Sequence, residues 1–275
     1  MNRSEPDPRV SPEAEFGAFL RSSREARGWL QKDVAQMIGC TPTHISMMET
    51  GRRRATSRVA RGLDTAFAMD RVFINKALAA ESATLLEGFA AYVAKESKAI
   101  ELRLFDLGIV PGLLQTMDYA RAIAAGAVRR GAITQDQADE RVAVLGRRQA
   151  KLRRSPAPQV HAVLDESCIT RPVGGPGVMA GQLDALLAFA ELPNTLLQIA
   201  PVSMGEDRAF DLPVNVITLP DRSLMLYAES AIQGHLERDS GAVAPMITAY
   251  YQLQGLALSQ AESVAVIRQR RKDLP

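Results

Sequence analysis

Three consecutive arginines, Arg52, Arg53 and Arg54, could bind the phosphates of a nucleic acid. A guanidinium presents N–H donors in a fixed fork that matches phosphate oxygens, and it stays charged at any physiological pH. Contacts of this kind hold a protein on duplex DNA but carry no sequence information. The other interpretation is a solvated run of charge on the surface, and the residue types alone leave both open.

A second group of reactive residue types lies between His161 and Cys168, where Asp165 and Glu166 follow a strand-like run. Such a set could provide a thiol nucleophile and a base. Alternate residues of a strand point to opposite faces, however, so His161 and Cys168, seven positions apart, would not share one face. A lone cysteine is also more often a small buried hydrophobe than a thiolate. We therefore predict no catalytic residues and a protein that is not an enzyme.

Metal and cofactor sites are not expected. The two cysteines, Cys40 and Cys168, are too few for a disulfide framework and lack the spacing of a zinc site. Residues 171–176 could hold an anion before a helix, but glycines between two prolines favour a rigid turn, and the motif matches no phosphate-binding fingerprint. The basic residues 268–272 are interpreted as a solvated helix end, with DNA contact as the alternative.

The positive charge is concentrated in one segment, although the net charge of the 275 residues is only +2. Residues 15–76 carry eleven Lys or Arg and six Asp or Glu, whereas residues 77–275 carry twenty against twenty-two. This pattern is typical of one module that meets a polyanion beside another with a different task. The hydrophobic fraction of 47% allows two globular domains. Without an apolar stretch that could span a bilayer or a secretory leader, we predict a cytoplasmic protein that does not contact membranes.

The basic segment is predicted to form five short helices. The second fits residues 31–38, and Gly39 ends it. Thr41 is placed to cap a third helix that begins at Pro42, because a proline in the first turn loses no hydrogen bond. The same signals predict a first helix that ends before Gly28, a fourth capped by Ser57 and a fifth over residues 71–80.

The stretch EFGAFLRSSREARGWLQKDVAQMIGCTPTHISMMETGRRR resembles the phage-repressor or Xre-type helix-turn-helix DNA-binding domain, over residues 15 to about 76. Ala35 is small where two helices would cross, and Gly39 lies in the sharp turn four residues later. The resemblance implies that the third helix enters the major groove, where base edges present distinct patterns of donors and acceptors. An unrelated five-helix bundle is the alternative that apolar spacing alone allows.

The resemblance also assigns roles to individual residues. Gln31 matches the residue that holds the backbone of one DNA strand, and Leu30 stands where relatives usually have a capping Thr, Ser or Asn, which weakens the expected grip. The third helix offers no Arg, Asn or Gln for a bidentate base contact, so we expect modest direct readout supported by DNA shape. The predicted DNA-binding residues are Gln31, Thr41, Pro42, Thr43, His44, Ser46, Met47, Arg52, Arg53 and Arg54.

Beyond residue 80 the pattern predicts helices mixed with a few strands. We predict a mainly α N-terminal helix-turn-helix domain (residues 15–80) after a flexible tail (1–14), followed by an α+β C-terminal domain with a small sheet (81–275). The predicted helices cover residues 81–104, a segment after the Pro111–Gly112 break, 135–153, 178–191, 241–257 and 260–271, and the predicted strands cover 160–164, 196–202, 214–219 and 224–227.

The second region has a resemblance of its own. The segments VPGLLQTMDYARA, RPVGGPGVMAGQL, FAELPNTLLQIAPVS and ALSQAESVAVI are similar to the uncharacterised domain that follows the helix-turn-helix in WhiJ-like actinobacterial regulators. The resemblance implies a regulator of transcription that binds double-stranded DNA, as a homodimer of the repressor type, and receives a small-molecule signal or a small protein encoded nearby. The alternative is an antitoxin-like protein that sequesters such a partner and regulates its own promoter.

Overall fold

The computed structural model describes residues 11–83, 88–230 and 233–274. The chain divides into two units, Met1–Leu85 and Leu86–Pro275, and each has a hydrophobic core of its own. Residues 1–10 of the predicted flexible tail (1–14) lie outside the described residues. Its end at residue 14 is wrong, because Ser11 caps a helix that begins at Pro12.

The described part of the first unit consists of five helices. They are α1 (Pro12–Glu25), α2 (Gln31–Ile38), α3 (Pro42–Glu49), α4 (Ser57–Ala66) and α5 (Val72–Ala83).

Short-range sequence signals determine where these helices begin. Thr41 caps α3 by accepting a hydrogen bond from the His44 amide at 3.3 Å, as its side chain predicts. The predicted cap of α4 is wrong by one position, because Thr56 rather than Ser57 accepts the bond from the Val59 amide, at 3.3 Å.

The five helices pack around an apolar core in which their inner faces meet. Leu20 of α1, Val34 of α2 and Ile45 of α3 are fully buried. The rings of Phe67 and Phe73 lie 5.2 Å apart and join the end of α4 to α5. Full burial of one such side chain contributes about 1.5–3 kcal/mol to stability.

The described part of the second unit contains six strands and seven α-helices. The strands are β1 (Glu101–Asp106), β2 (Gln159–Asp165), β3 (Thr195–Ala200), β4 (Val214–Thr218), β5 (Leu224–Glu229) and β6 (Gly234–Glu237). The helices are α6 (Phe89–Glu96), α7 (Met117–Arg129), α8 (Gln135–Leu152), α9 (Ser167–Thr170), α10 (Pro176–Ala190), α11 (Ser240–Leu256) and α12 (Gln260–Lys272).

The strands form one mixed sheet in the order β3-β2-β1-β4-β5-β6. β1, β2 and β3 run parallel, and β4, β5 and β6 continue the sheet in antiparallel pairs. Parallel neighbours require a crossover, which helices α7 and α8 provide between β1 and β2. The chain thus builds the sheet to one side of β1 and then returns on its other side as β4.

Helices cover both faces of this sheet. Alternate residues of each strand point in opposite directions, so one strand contributes side chains to a core on each face. Leu104 of β1 belongs to the larger core, with Leu183 of α10. The next residue, Phe105, belongs to a second core on the opposite face, with Tyr250 of α11. The predicted fold class, a helical helix-turn-helix domain followed by an α+β domain, is confirmed. None of the helices within the described ranges is long and apolar enough to cross a membrane.

Two strands escaped prediction. The helix predicted over residues 81–104 is wrong at its end, because residues 101–106 form β1; residues 84–87 lie outside the described part. The four inner residues of β1 are all buried, and in its sequence, ELRLFD, the alternation stops after Leu104, so the run is neither a full alternating strand nor a continuous apolar one. β6 is a strand of only four residues at the sheet edge. The strand predicted over 196–202 ends at Ala200, and Val202–Asp207 form 3₁₀ turns.

Candidate DNA-binding surface

The turn between α2 and α3 is set by a glycine in the left-handed region. Gly39 has φ 69° and ψ 43°, a conformation that costs other residues roughly 1–2 kcal/mol. In this conformation the Cys40 amide donates to the Ala35 carbonyl at 2.9 Å and closes α2. The chain then enters α3 at Pro42 with its first turn already capped.

Helix α1 supports α3 from behind through a close backbone contact. A Cβ atom on Gly17 would lie 2.3 Å from the carbonyl oxygen of Met48, so a side chain here would push the helices apart. Ile45 and Met48 of α3 are buried on the side that faces this contact and the core. The opposite side of α3 is therefore left uncovered by the described residues of its own unit.

The predicted base-contacting residues lie on the uncovered side of α3. Pro42 and Thr43 are exposed, and the Met47 side chain is 36% exposed. His44 and Ser46 are half-buried. Thr41 is exposed, but its hydroxyl is already used to cap the helix. Hydroxyl, imidazole and apolar groups are thus presented along the uncovered side of a helix short enough to enter a major groove.

The end of α3 is held by a buried carboxylate. Glu49 is 1% exposed and accepts two hydrogen bonds from Arg24 of α1, at 2.5 Å from Nε and 3.0 Å from Nη2. Arg21 adds a longer contact at 3.7 Å. The hydrogen bond to Glu49 raises the pKa of Arg24, so this guanidinium stays charged. A bidentate pair fixes orientation as well as position, and α3 is therefore anchored to α1 at its C-terminus.

Gln31 is tied to the same carboxylate. Its Nε2 donates to Oε2 of Glu49 at 2.8 Å, and the side chain is half-buried. An amide carries two N–H donors and one acceptor, so one donor and the oxygen are not used by this bond. The side chain expected to grip a DNA strand is thereby held in place by the helix that would read the bases.

The three arginines after α3 are not equivalent. Arg52 and Arg53 are exposed, and their amides donate to the Met47 carbonyl at 2.9 and 3.1 Å, which orders the backbone just beyond the helix. Arg54 forms an ion pair with Glu13 of α1. Burial would raise the pKa of Glu13, but the hydrogen bond and charge of Arg54, together with bonds from Ser11 and the backbone, outweigh burial and lower that pKa. The ion pair with Glu13 involves Arg54 and not Arg52 or Arg53. A DNA phosphate would therefore compete with Glu13 for Arg54 but not for Arg52 or Arg53.

The missing cap at Leu30 is partly replaced. Leu30 has no side-chain acceptor for the first turn of α2, as the sequence predicts, and it is 57% exposed. Asp33 compensates from inside the helix, because its Oδ2 accepts the Leu30 amide at 2.7 Å. The first turn that carries Gln31 is thus held by one side-chain bond where a full capping box would supply two.

The sequence interpretation missed the part played by Glu49 and Arg24. Arg24 lies beside the buried Ser23 of α1, and Glu49 lies beside the buried Met48 of α3. Both are charged residues next to positions that face the core. A buried charge implies a buried partner, which was the available signal. Their pairing across 25 residues could not be read from spacing.

The residues considered for catalysis are separated by the sheet. His161 follows Val160, a member of the larger core, and therefore points to the opposite face, whereas Cys168 is fully buried in that larger core. The Cys168 thiol donates to the carbonyls of Asp106 and Ile109 at 3.3 and 3.0 Å, and burial raises its pKa far above the usual range. No observation joins these two side chains in one site.

The basic end of α12 has partners within its own unit. Arg270 contacts Glu166 at 3.4 Å, and Arg271 contacts Asp184 at 3.0 Å. These exposed pairs favour the interpretation as a solvated helix end over contact with DNA.

Two family models match the chain. The model described as "Helix-turn-helix domain" matches residues 15–73, which contain α1 to the start of α5. The model described as "Domain of unknown function (DUF5753)" matches residues 89–269, which contain all six described strands. No curated protein and no solved structure matches the chain significantly. A helix-turn-helix domain indicates a DNA-binding regulator.

Proposed function

The chain belongs to the family of the domain of unknown function (DUF5753) and carries a helix-turn-helix domain before it, and from this premise we propose a sequence-specific, DNA-binding regulator of transcription. The observation that carries the proposal is the orientation of α3. Its inner residues are buried, Glu49 anchors its end, and Thr43 and Met47 remain exposed. The resemblances to Xre-type and WhiJ-like regulators support the same interpretation.

We assign base contacts to α3 and phosphate contacts to the residues around it. Thr43 and Ser46 can donate or accept hydrogen bonds, and Met47 can contact a thymine methyl group. Gln31, Arg52 and Arg53 would hold the two backbones. His44 would reach a base or a phosphate. Arg54 would contribute least, since it is already paired with Glu13.

Dimerisation and signal reception are assigned to the second unit. One recognition helix contacts too little DNA for operator affinity, so two copies would read half-sites about 34 Å apart or a multiple of that distance. A small molecule or a small protein would then change operator affinity by acting on the second unit. Catalysis has no part in this proposal, because the Cys168 thiol is buried and bound to two carbonyls.

Footprinting of the DNA-bound protein across a genome, followed by binding measurements on the site it identifies, tests the proposal. Thr43→Ala should weaken discrimination at one base position by about 1–3 kcal/mol, because a base contact is lost. Thr65→Ala is the matched control: Thr65 is also exposed, on α4, and its hydroxyl bonds only to the Arg61 carbonyl of its own helix. Equal behaviour of the two variants would remove Thr43 from the interface.

Arg53→Ala should weaken binding to all sequences about equally and reduce the salt dependence of the binding constant by about one counterion. Arg121→Ala, which removes an exposed arginine of α7, serves as the control for charge. Loss of discrimination with nonspecific binding intact would contradict the phosphate role of Arg53.

A stoichiometric companion that copurifies with the protein and controls its operator affinity would instead identify an antitoxin-like protein.

A further inference from the structure

Polar side chains gather at one end of the sheet in the second unit, on the face of the larger core. Cross-strand register places Leu104 of β1 opposite Asn215 of β4, and Asn215 opposite Tyr227 of β5. Because every second residue of a strand shares a face, Asp106 and Glu229 point to that same side. Four polar side chains from three neighbouring strands therefore face one place.

Two polar atoms in this region are buried without a hydrogen bond. Neither Tyr92 Oη nor Asn215 Oδ1 has a partner among the residues that the structure describes. The Tyr92 side chain is 1% exposed, and its ring stacks on Tyr227 at 4.1 Å between centroids. An unmade bond of this kind costs about 1–3 kcal/mol, and most buried polar groups of native proteins find a partner. Two such atoms in one region indicate that something else supplies the partners.

The charges around these atoms are unbalanced. Arg148 of α8 donates to both oxygens of Glu96, at 2.9 and 2.7 Å, and its guanidinium is thereby occupied. Glu229 accepts a hydrogen bond from the Tyr227 hydroxyl at 2.8 Å but forms no ion pair within the described residues, and the charge of Arg148 reaches it only at longer range. Burial, together with repulsion from Glu229, raises the pKa of Asp106 to about 8. Two carboxyl groups thus share a region whose one guanidinium, among the described residues, is already paired.

The position in the sheet is one where ligands commonly bind. Asp106 ends β1, and the chain continues the sheet from β1 first toward β2 and later, on the other side, as β4. In open sheets with parallel strands, ligands bind beyond the carboxyl ends of the strands where the strand order reverses. The Tyr92 side chain lies beside this region, because its ring stacks on that of Tyr227, whose hydroxyl donates to Glu229.

We propose that Tyr92, Asp106, Asn215, Tyr227 and Glu229 form a site for a small organic ammonium ion that carries N–H groups. Such a ligand would donate hydrogen bonds to Asn215 Oδ1 and to the carboxyl oxygens of Asp106 and Glu229, and its charge would balance that of Glu229. The role of this site as the small-molecule input of the regulator rests on the proposed function, whereas binding of the ligand involves no DNA.

Binding is tested on the full chain without DNA, by saturation-transfer NMR with 1,4-diaminobutane. Tetramethylammonium, which has the charge but no N–H group, and Mg²⁺ serve as competing probes at equal ionic strength. Wild type should bind the diamine, and tetramethylammonium should bind at least tenfold more weakly. Binding of Mg²⁺ in preference to the diamine would overturn the proposal in favour of a metal site.

Three variants locate the site. Asp106→Asn and Asn215→Leu keep the side-chain shape and should each weaken diamine binding at least tenfold, whereas Glu191→Gln, which removes an exposed carboxylate after α10, should leave it unchanged. If either of the first two fails to fold by circular dichroism, Tyr92→Phe, which removes only the unpartnered hydroxyl, replaces it. Equal binding by all variants, or no binding by wild type, would overturn the proposal. Operator binding is measured separately, so its failure would leave this result standing.

Discussion

The described part of each unit contains a buried arginine–glutamate pair, Arg24–Glu49 in the first and Arg148–Glu96 in the second, and these two pairs differ in how fully the polar atoms around them are used. In the first unit, both oxygens of Glu49 accept from Arg24, and Gln31 adds a third bond at 2.8 Å. In the second unit, Glu96 accepts twice from Arg148, yet the hydroxyl of Tyr92 beside them has no partner among the described residues.

The first network holds parts of the protein in position, whereas the second leaves hydrogen-bonding atoms that a ligand can use. Charges leave water at a high cost, which a pair recovers only with good geometry and further hydrogen bonds. The Glu49 network meets that condition within the protein and fixes α3 and Gln31 relative to α1. The Glu96 network leaves hydrogen-bonding capacity unused next to two further carboxyl groups. A closed network holds a surface in place, whereas an open one can respond to a ligand.

The largest expected effect comes from breaking the closed network. Glu49→Gln removes the buried carboxylate from Arg24 and leaves it the exposed carboxylate of Glu25 at 3.2 Å, and we expect a loss of about 3–5 kcal/mol in the free energy of unfolding of the first unit. Trp29, the one tryptophan of the sequence, packs 5.0 Å from the Phe67 ring and reports on this unit. Urea unfolding followed by tryptophan fluorescence measures the loss. Unchanged stability would show that the pair contributes nothing to α3.

The corresponding change in the open network should cost less. In Glu96→Gln, Arg148 still has the charge of Glu229 nearby, which partly replaces the lost carboxylate. We expect a loss of about half that of Glu49→Gln, because the charge is not left without compensation. Urea unfolding followed by circular dichroism gives the value for the second unit. An equal or greater loss would remove the distinction between the two networks.

Sequence reasoning succeeded where the signals are local. The ends of α2 and the start of α3 follow from Gly39, Thr41 and Pro42, residues that act on their own turn of chain. It failed for β1, because the buried Arg103 interrupts the apolar run expected of a strand covered on both faces, so its sequence matches neither strand pattern fully. The fold class was accessible, since it needs only the type of each element.

The candidate sites divide in the same way. The positions of Thr43 and Met47 on α3 follow from helical spacing around Ile45 and Met48. The carboxylate that anchors α3 lies 25 residues from its partner, and Asn215 meets Tyr227 only through sheet register. Pairing at such separations depends on how elements pack, which spacing along the chain does not record.

Titration offers a third way to distinguish the networks. The pKa of Asp106 is raised to about 8, through burial and then Glu229, with Arg148 acting in the opposite direction. Between about pH 4 and 8 the folded chain therefore keeps a proton that the unfolded chain has lost, so this group makes stability fall as pH rises. Asp106→Asn should remove that slope.

The expected gain of Asp106→Asn over wild type is about 1–2 kcal/mol at pH 9 relative to pH 5, reduced by solvent screening at a half-buried carboxyl. Urea unfolding at pH 5, 7 and 9 measures it. Glu191→Gln, at an exposed position, should run parallel to wild type across this range. Parallel curves for wild type and Asp106→Asn would show that the Asp106 carboxylate is adequately solvated or paired.

The smallest effect tests the edge of the closed network, at the first turn of α2. Leu30 has the extended conformation of an N-cap, φ −88° and ψ 159°, but no acceptor for an amide of that turn. Leu30→Ser should supply one to the Asp33 amide and complete a capping box, because Asp33 already accepts the amide of residue 30. We expect a gain of about 1 kcal/mol over Leu30→Ala.

Leu30→Ala is the right reference, since both variants lose the same exposed leucine and differ only in the hydroxyl. The comparison is made by tryptophan fluorescence, with Trp29 adjacent to the substituted position but unchanged in both chains. A more stable first turn also holds Gln31 more firmly against Glu49, so Leu30→Ser should bind all DNA sequences slightly more tightly than Leu30→Ala. If the hydroxyl raises stability without changing DNA affinity, Gln31 does not contact the DNA backbone.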